Sequence, residues 1–345
     1  MGKLSFTSFI RGQLARVPPP LNADLTGKTV MVIGANTGIG FEVSKHFARM
    51  KPGRLILACR NSLKGEDALQ KIKEQTGYEA AELWMLDLSE FTSVIAFADK
   101  FVKECGRLDY LIENAGMATD TYAVTKDGFE QTLQVNCLSL FLLALRLLPI
   151  MIKTGIKHST RPRLVIVTSE VHFWSEIPKN PDGLLNGNYN IYKTLSSREY
   201  CDKHLSSRYH DSKLLDIFFH RSLDDRLGPA SPVVVNGVNP GFCYSELRRE
   251  GTGLRSLYMF FMERALARTA EEGSRQLLYA ALGGIGKEDD KFRGAYVSLA
   301  CISEASDYVL ASHETQDRLW EEVVDIVSEV DPKVKDIVKE HLVST

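Results

Sequence analysis

Tyr209 and Lys213 stand one helical turn apart in Tyr209-His210-Asp211-Ser212-Lys213, where a stretch begins that reads as an amphipathic helix. A phenol ordinarily keeps its proton until about pH 10, so it serves as acid or base near neutrality only beside a fixed positive charge. Lys213 is placed to supply that charge. Far upstream, Gly34-Ala35-Asn36-Thr37-Gly38-Ile39-Gly40 forms a glycine-rich turn between an apolar run and a helical pattern. Its glycines let the backbone turn sharply against a pyrophosphate, and the start of the helix offers unpaired N–H groups and a partial positive charge. Asn36, Thr37 and Ile39 belong with Gly34, Gly38 and Gly40 in this cofactor-binding turn. Together the two features imply nicotinamide-dependent oxidoreductase chemistry.

Three further positions fit a dinucleotide. Arg60 ends the second apolar run about twenty residues past the glycines, where an acidic residue would bind an unphosphorylated ribose. A guanidinium there favours a 2′-phosphate, hence NADP(H). Asp87 ends the third run and either meets the adenine edge or caps the next helix. Asn114-Ala115-Gly116 follows the fourth run, and its small residues let the chain pass close beside a cofactor.

The elements that must position these residues follow from the hydrophobic pattern. Lys28–Gly34, Arg54–Arg60, Ala81–Asp87, Leu108–Glu113, Arg163–Ser169, Pro232–Asn239 and Ala295–Leu299 read as strands, with helical patterns between most of them. That order predicts a single doubly wound (Rossmann-type) α/β domain: a seven-stranded parallel sheet with helices on both faces. Residues 1–25 read as an N-terminal extension, 26–300 as the domain, and 301–345 as a helical tail in which Leu319, Val323, Val324 and Val327 have helical spacing. Two insertions, 170–208 and 243–268, follow strand ends, where open α/β sheets bind ligands.

Composition narrows the partners. The 42 Lys and Arg nearly balance the 44 Asp and Glu, without a run of like charge, so neither nucleic acid nor an anionic membrane is implied. A small molecule remains as the expected partner. The six cysteines lack C-x-x-C spacing and histidines lack ligand spacing, which argues for reduced thiols, no metal and a cytoplasmic location. Residues 1–24 hold no signal-peptide core, and the longest apolar stretch, Leu138 to Ile152, carries Arg146 and Pro149 and is too short to span a bilayer. It reads as a buried helix.

The ordered set Gly34-x-x-x-Gly38-x-Gly40, Asn114-Ala115-Gly116, Asn136, Ser169, Tyr209-x-x-x-Lys213 and Pro240-Gly241 resembles the short-chain dehydrogenase/reductase family over residues 26 to 300. Chain length and Arg60-Asn61 look like its retinol-dehydrogenase-like branch, and the long insertion before Tyr209 is similar to fungal members, some of them in secondary-metabolite, including terpenoid, pathways. The resemblance implies that Tyr209 exchanges a proton with the substrate oxygen and that Ser169 hydrogen-bonds the same oxygen. It implies further that Lys213 holds the nicotinamide ribose, that Asn136 anchors a relaying water, and that Pro240, Gly241 and Ser245 lie beside the nicotinamide. Dimers are frequent in the family, so a homodimer is an open arrangement.

Two departures matter. Ile33 stands where the family usually has threonine before the first glycine, and Ser169 lies 40 residues before Tyr209, with a competing Tyr189-x-x-x-Lys193 between them. Lys213 precedes Pro240 by 27 residues, enough for one helix and one strand, whereas Lys193 would leave 47. Tyr189 also sits among turn-forming asparagines and glycines, so Tyr209 is the expected acid/base, and Tyr189 and Tyr192 are expected near a substrate entrance. Phe173, Trp174, Phe242 and the run Tyr258 to Met262 suggest a lipophilic alcohol or ketone. The competing readings are a catalytically idle NADP-binding sensor and an extended-type epimerase or dehydratase, the latter disfavoured by the glycine spacing.

Overall fold

The computed structural model describes residues 5–179, 190–244 and 262–343. All seven expected strands are present: β1 (Thr29–Ile33), β2 (Arg54–Cys59), β3 (Ala81–Met85), β4 (Tyr110–Glu113), β5 (Arg163–Val167), β6 (Val234–Asn239) and β7 (Tyr296–Ser298). Every residue of β1, β4, β5 and β6 is buried, as parallel strands covered on both faces require. The sheet order is β3-β2-β1-β4-β5-β6-β7-β8. Because β1 pairs with both β2 and β4, the winding reverses at β1, opening a crevice above its C-terminal end.

The eighth strand corrects the seven-stranded expectation. β8 (Cys301–Ser303) pairs antiparallel with β7. Leu299 and Ala300, both at positive φ (55° and 52°), reverse the chain between them. Such two-residue reversals usually carry asparagine and glycine, so this one left no turn signal, and three residues are too few to show a strand period.

The described α-helices of five residues or more are α1 (Phe6–Leu14), α2 (Gly38–Arg49), α3 (Ser62–Thr76), α4 (Phe91–Glu104), α5 (Ser139–His158), α6 (Ile191–Ser196), α7 (Arg198–Lys203), α8 (Arg208–Leu227), α9 (Ala270–Leu282), α10 (Asp307–Ala311), α11 (His313–Val330) and α12 (Lys333–His341). On one face of the sheet Val43 and Phe47 of α2 and Leu277 and Leu278 of α9 form the core. On the other, Phe97 and Phe101 of α4 pack with α5, with Leu214 to Leu227 of α8 and with α11.

The tail changes the character of α8. Residues 211–220 are all buried, so the helix is enclosed and not amphipathic as its sequence suggested. Its outer side is covered by α11, where Leu319, Val323 and Val327 face inward as their spacing predicts, Trp320 stacks on Phe219 at 5.8 Å, and Asp317 accepts a hydrogen bond from Arg226 at 2.8 Å. One helical run among the described residues, Gln131–His158, is long and apolar enough to cross a membrane, but it lies inside the fold. There Arg146 is neutralised by Asp331 at 2.8 Å and by Asp99.

Candidate active site

The glycine turn is built by close approach. At Gly40 a Cβ would sit 2.2 Å from the Gly34 carbonyl oxygen and 2.4 Å from Asn114 Nδ2, and at Gly34, with φ +79°, it would meet Ala115 Cα at 2.8 Å. No other residue fits at either position. Asn114 Nδ2 donates to Gly34 O at 3.1 Å, so the Asn114-Ala115-Gly116 segment and the turn hold each other. Thr37, at the N-cap of α2, gives no side-chain hydrogen bond to the helix, whose first N–H groups remain available to an anion. These features fit a pyrophosphate.

Around the turn, Arg60 is exposed at the end of β2, and the next residue, Asn61, caps α3 by accepting from Lys64 N at 2.9 Å. Asp87 Oδ1 accepts from Ser89 N at 2.9 Å and Ser89 Oγ at 2.6 Å, which closes a local turn; the N-cap of α4 is Glu90. Of the two alternatives read for Asp87, the helix cap is therefore not the one adopted. Pro240 and Gly241 follow β6, with Gly241 at φ +83° and its N–H donating to Asn239 Oδ1 at 3.0 Å. Ser245 lies outside the described residues.

Lys213 is buried on α8, with Nζ 5.8 Å from the centre of the Tyr209 ring. It donates to Val167 O at 2.8 Å and to Asp216 Oδ2 at 2.9 Å. Burial works to depress the ammonium's pKa, but Asp216 and the neighbouring phenol outweigh it and hold the pKa above the ordinary lysine value. An ammonium has three donors, so one remains beyond these two partners. Tyr209 itself is half-buried at the N-terminal end of the helix.

Asn136 lies in a π-helical turn, Gln134–Leu138, that runs into α5, a distortion often found at functional sites. Its Oδ1 accepts from Met117 N at 2.8 Å, and its Nδ2 donates to Met117 O at 2.9 Å and Ser212 Oγ at 3.0 Å. A Cβ at Gly116 would lie 3.5 Å from Asn136 Oδ1 and 3.9 Å from Lys213 Nζ, so these side chains converge on one small residue. Ser169, just past β5, accepts from Val171 N at 3.3 Å through its hydroxyl.

The competing pair stands differently. Tyr189 lies outside the described residues, Lys193 is exposed on α6, and Tyr192 is packed in the core, where burial raises its pKa well above the usual phenol value. The expectation that Tyr192 borders a substrate entrance is therefore wrong: α6 folds back under α11, with Ile191 N donating to Glu322 at 2.6 Å. The aromatic run from Tyr258 to Phe261 is also outside the described residues, while Met262 is half-buried.

Several contributors carried no sequence signal. His172 donates from Nδ1 to Ser169 O at 2.7 Å and accepts at Nε2 from Ser306 N at 3.2 Å, and burial lowers its pKa to about 4, so a neutral imidazole ties the serine turn to the tail. Glu113, at the end of β4, is fully buried with neither oxygen hydrogen-bonded; burial and nearby Asp216 raise its pKa well above the carboxylate range. Glu170, next to Ser169, accepts from Gln13 Nε2 at 3.0 Å, and burial pushes its pKa to about 7.

A family model described as short chain dehydrogenase matches residues 28–175. A short chain dehydrogenase/reductase of Cryptosporiopsis sp. is 35% identical over 334 residues, 94% of this chain and 98% of its own. The short chain dehydrogenase atnD of Emericella nidulans is 35% identical over 294 residues, covering 84% of this chain and 90% of its own. Among solved structures, a short-chain dehydrogenase from Sphingobium yanoikuyae in complex with NADPH shares the fold at a TM-score of 0.52 and 24% identity, over 77% of this chain and 85% of that one.

Proposed function

The chain belongs to the short chain dehydrogenase family, and we propose that it interconverts a lipophilic secondary alcohol and its ketone, or an alcohol and its aldehyde, with NADP(H). One observation carries the reading: a buried, charged Lys213 set 5.8 Å from the Tyr209 ring beside a glycine turn that fits a pyrophosphate. The bound nicotinamide would supply or accept the hydride. Tyr209 holds the proton that the substrate oxygen gains in reduction and takes it back in oxidation. Ser169 donates to the same oxygen and fixes its position. Lys213 keeps positive charge beside the phenol and offers its remaining donor to the ribose.

Asn136 pins Met117 and Ser212, and the second lone pair of its Oδ1 remains to hold a water that relays protons to Lys213. Arg60, exposed where β2 ends, supports a 2′-phosphate and hence NADP(H) over NAD(H). Asn36, Thr37, Ile39 and Asp87 complete the proposed cofactor contacts. Similarity to fungal relatives supports a setting in secondary-metabolite biosynthesis, within which a terpenoid pathway is our proposal.

The test is NADPH consumption by the purified protein across a panel of lipophilic ketones. Consumption is expected. Tight NADPH binding with no consumption would replace this reading with that of an idle sensor.

A further inference from the structure

We propose that helix α1 forms the outer wall of the substrate crevice, and that Phe9, with Trp174 and Phe242, binds the ring system of an apolar, ring-bearing alcohol or ketone. This rests on the dehydrogenase reading and specifies its substrate.

Helix α1 lies before the segment matched by the family model, yet it is fastened to both chain segments that leave the catalytic strand ends. Gln13 Nε2 donates to Glu170 Oε1 at 3.0 Å, one residue past Ser169. Arg268 Nη2 donates to Gly12 O at 2.6 Å and Ala15 O at 3.3 Å, and Arg268 N donates to Phe242 O at 2.9 Å, one residue past Gly241. A Cβ at Gly241 would approach Arg268 Nη1 at 2.9 Å and Gln13 Nε2 at 3.5 Å, so the helix is seated directly against that loop.

The side chains at this junction are aromatic. Phe9 meets Trp174 edge-on at 5.9 Å and Phe242 at 6.3 Å, Trp174 meets His210 at 6.3 Å, and Phe6 stacks on Phe9 at 6.2 Å. His210 adjoins Tyr209, and Phe6 is 55% exposed. The rings thus form a row from His210, the residue after the proposed proton donor, to the surface. Phe9 is buried and Trp174 and Phe242 are half-buried, yet the three belong to neither hydrophobic cluster of the sheet and so make a separate aromatic group at this junction. The nearby charges have partners, Arg268 in backbone carbonyls and Glu170 in Gln13, so this aromatic junction suits an apolar ring better than an ionic group.

The experiment titrates 2-tetralone and cyclohexanone into the NADP⁺ complex of the full chain, in which no hydride is available. The wild-type protein is expected to bind 2-tetralone at least about tenfold more tightly, and Phe9→Ala to lose roughly tenfold for 2-tetralone but under about twofold for cyclohexanone. Phe9→Leu keeps apolar volume at the junction and should show a smaller loss of the same kind; it carries the test if Phe9→Ala no longer binds NADP⁺. Equal affinity for the two ketones in the wild type, or an unchanged ratio in the variants, overturns the proposal. Since binding is read without turnover, the expected ratios without NADPH-driven reduction would remove the dehydrogenase reading alone. Reduction with unchanged ratios would remove this proposal alone.

Discussion

Lys213 and Asp216 face each other at 2.9 Å on a single helix, sealed from solvent at 3% and 0% exposure. The carboxylate three residues past the lysine carries no signal of its role in the sequence. With a folded pKa above the ordinary lysine value, the ammonium's stabilising contribution is complete below its unfolded pKa and is lost only as the pH rises through the folded one. Lys213 therefore stays charged across the neutral range, which its proposed work on Tyr209 requires.

Asp216→Asn removes that partner and leaves Lys213 with Val167 O in a buried site. Breaking a buried pair on one side should cost about 3–5 kcal/mol near pH 7. The basic limb of the kcat profile should also move to lower pH, because burial is then opposed only by the weaker influence of Tyr209 and Cys137. Thermal melts and pH–rate curves check both; a variant that melts and titrates like the wild type would show that the carboxylate does not hold the ammonium.

Glu170 gives a stability effect of the same direction in pH, but in a lower window. Its folded pKa, about 7, is above the unfolded value, so stability present below roughly pH 4.5 is lost as the pH rises toward 7 and then stays level. Glu170→Gln keeps an acceptor for Gln13 and removes the charge. It should be more stable than the wild type by about 2–3 kcal/mol at pH 8 and nearly equal at pH 4.5. A constant difference between the two proteins across that range would mean that Glu170 does not titrate there.

Arg60→Asp should reverse the nucleotide preference, lowering kcat/KM for NADPH and raising it for NADH, with the ratio changing by at least about tenfold. The exposed setting of this side chain makes a folding effect small. Parallel assays with the two nucleotides read it directly, and an unchanged ratio would place the ribose elsewhere.

Much of this arrangement was legible because it rests on local periods and obligatory residue types. Continuous apolar runs gave the seven parallel strands, and Gly34 and Gly40 stand where a Cβ would strike backbone or Asn114. Counting from Lys213 to Pro240 left room for α8 and β6, which occupy that interval. What was missed depends on distant chain. Nothing in residues 6–14 announces that Phe9 meets Trp174, and nothing in residues 208–227 announces that α11 will enclose α8. Tyr192 was expected near an entrance because α6, whose first N–H group Glu322 binds, is only six residues long and too short to show its buried face. β8 escaped because Leu299-Ala300 makes its turn without turn-forming residues.

The choice of Tyr209 over Tyr189 is tested most directly by steady-state turnover of the two phenylalanine variants, with NADPH affinity measured alongside. Tyr209→Phe should lose at least about 10²-fold in kcat while binding NADPH within about twofold of wild type, and Tyr189→Phe should keep most of its turnover. Full activity in Tyr209→Phe, or equal losses in both variants, would contradict the assignment of the proton to Tyr209.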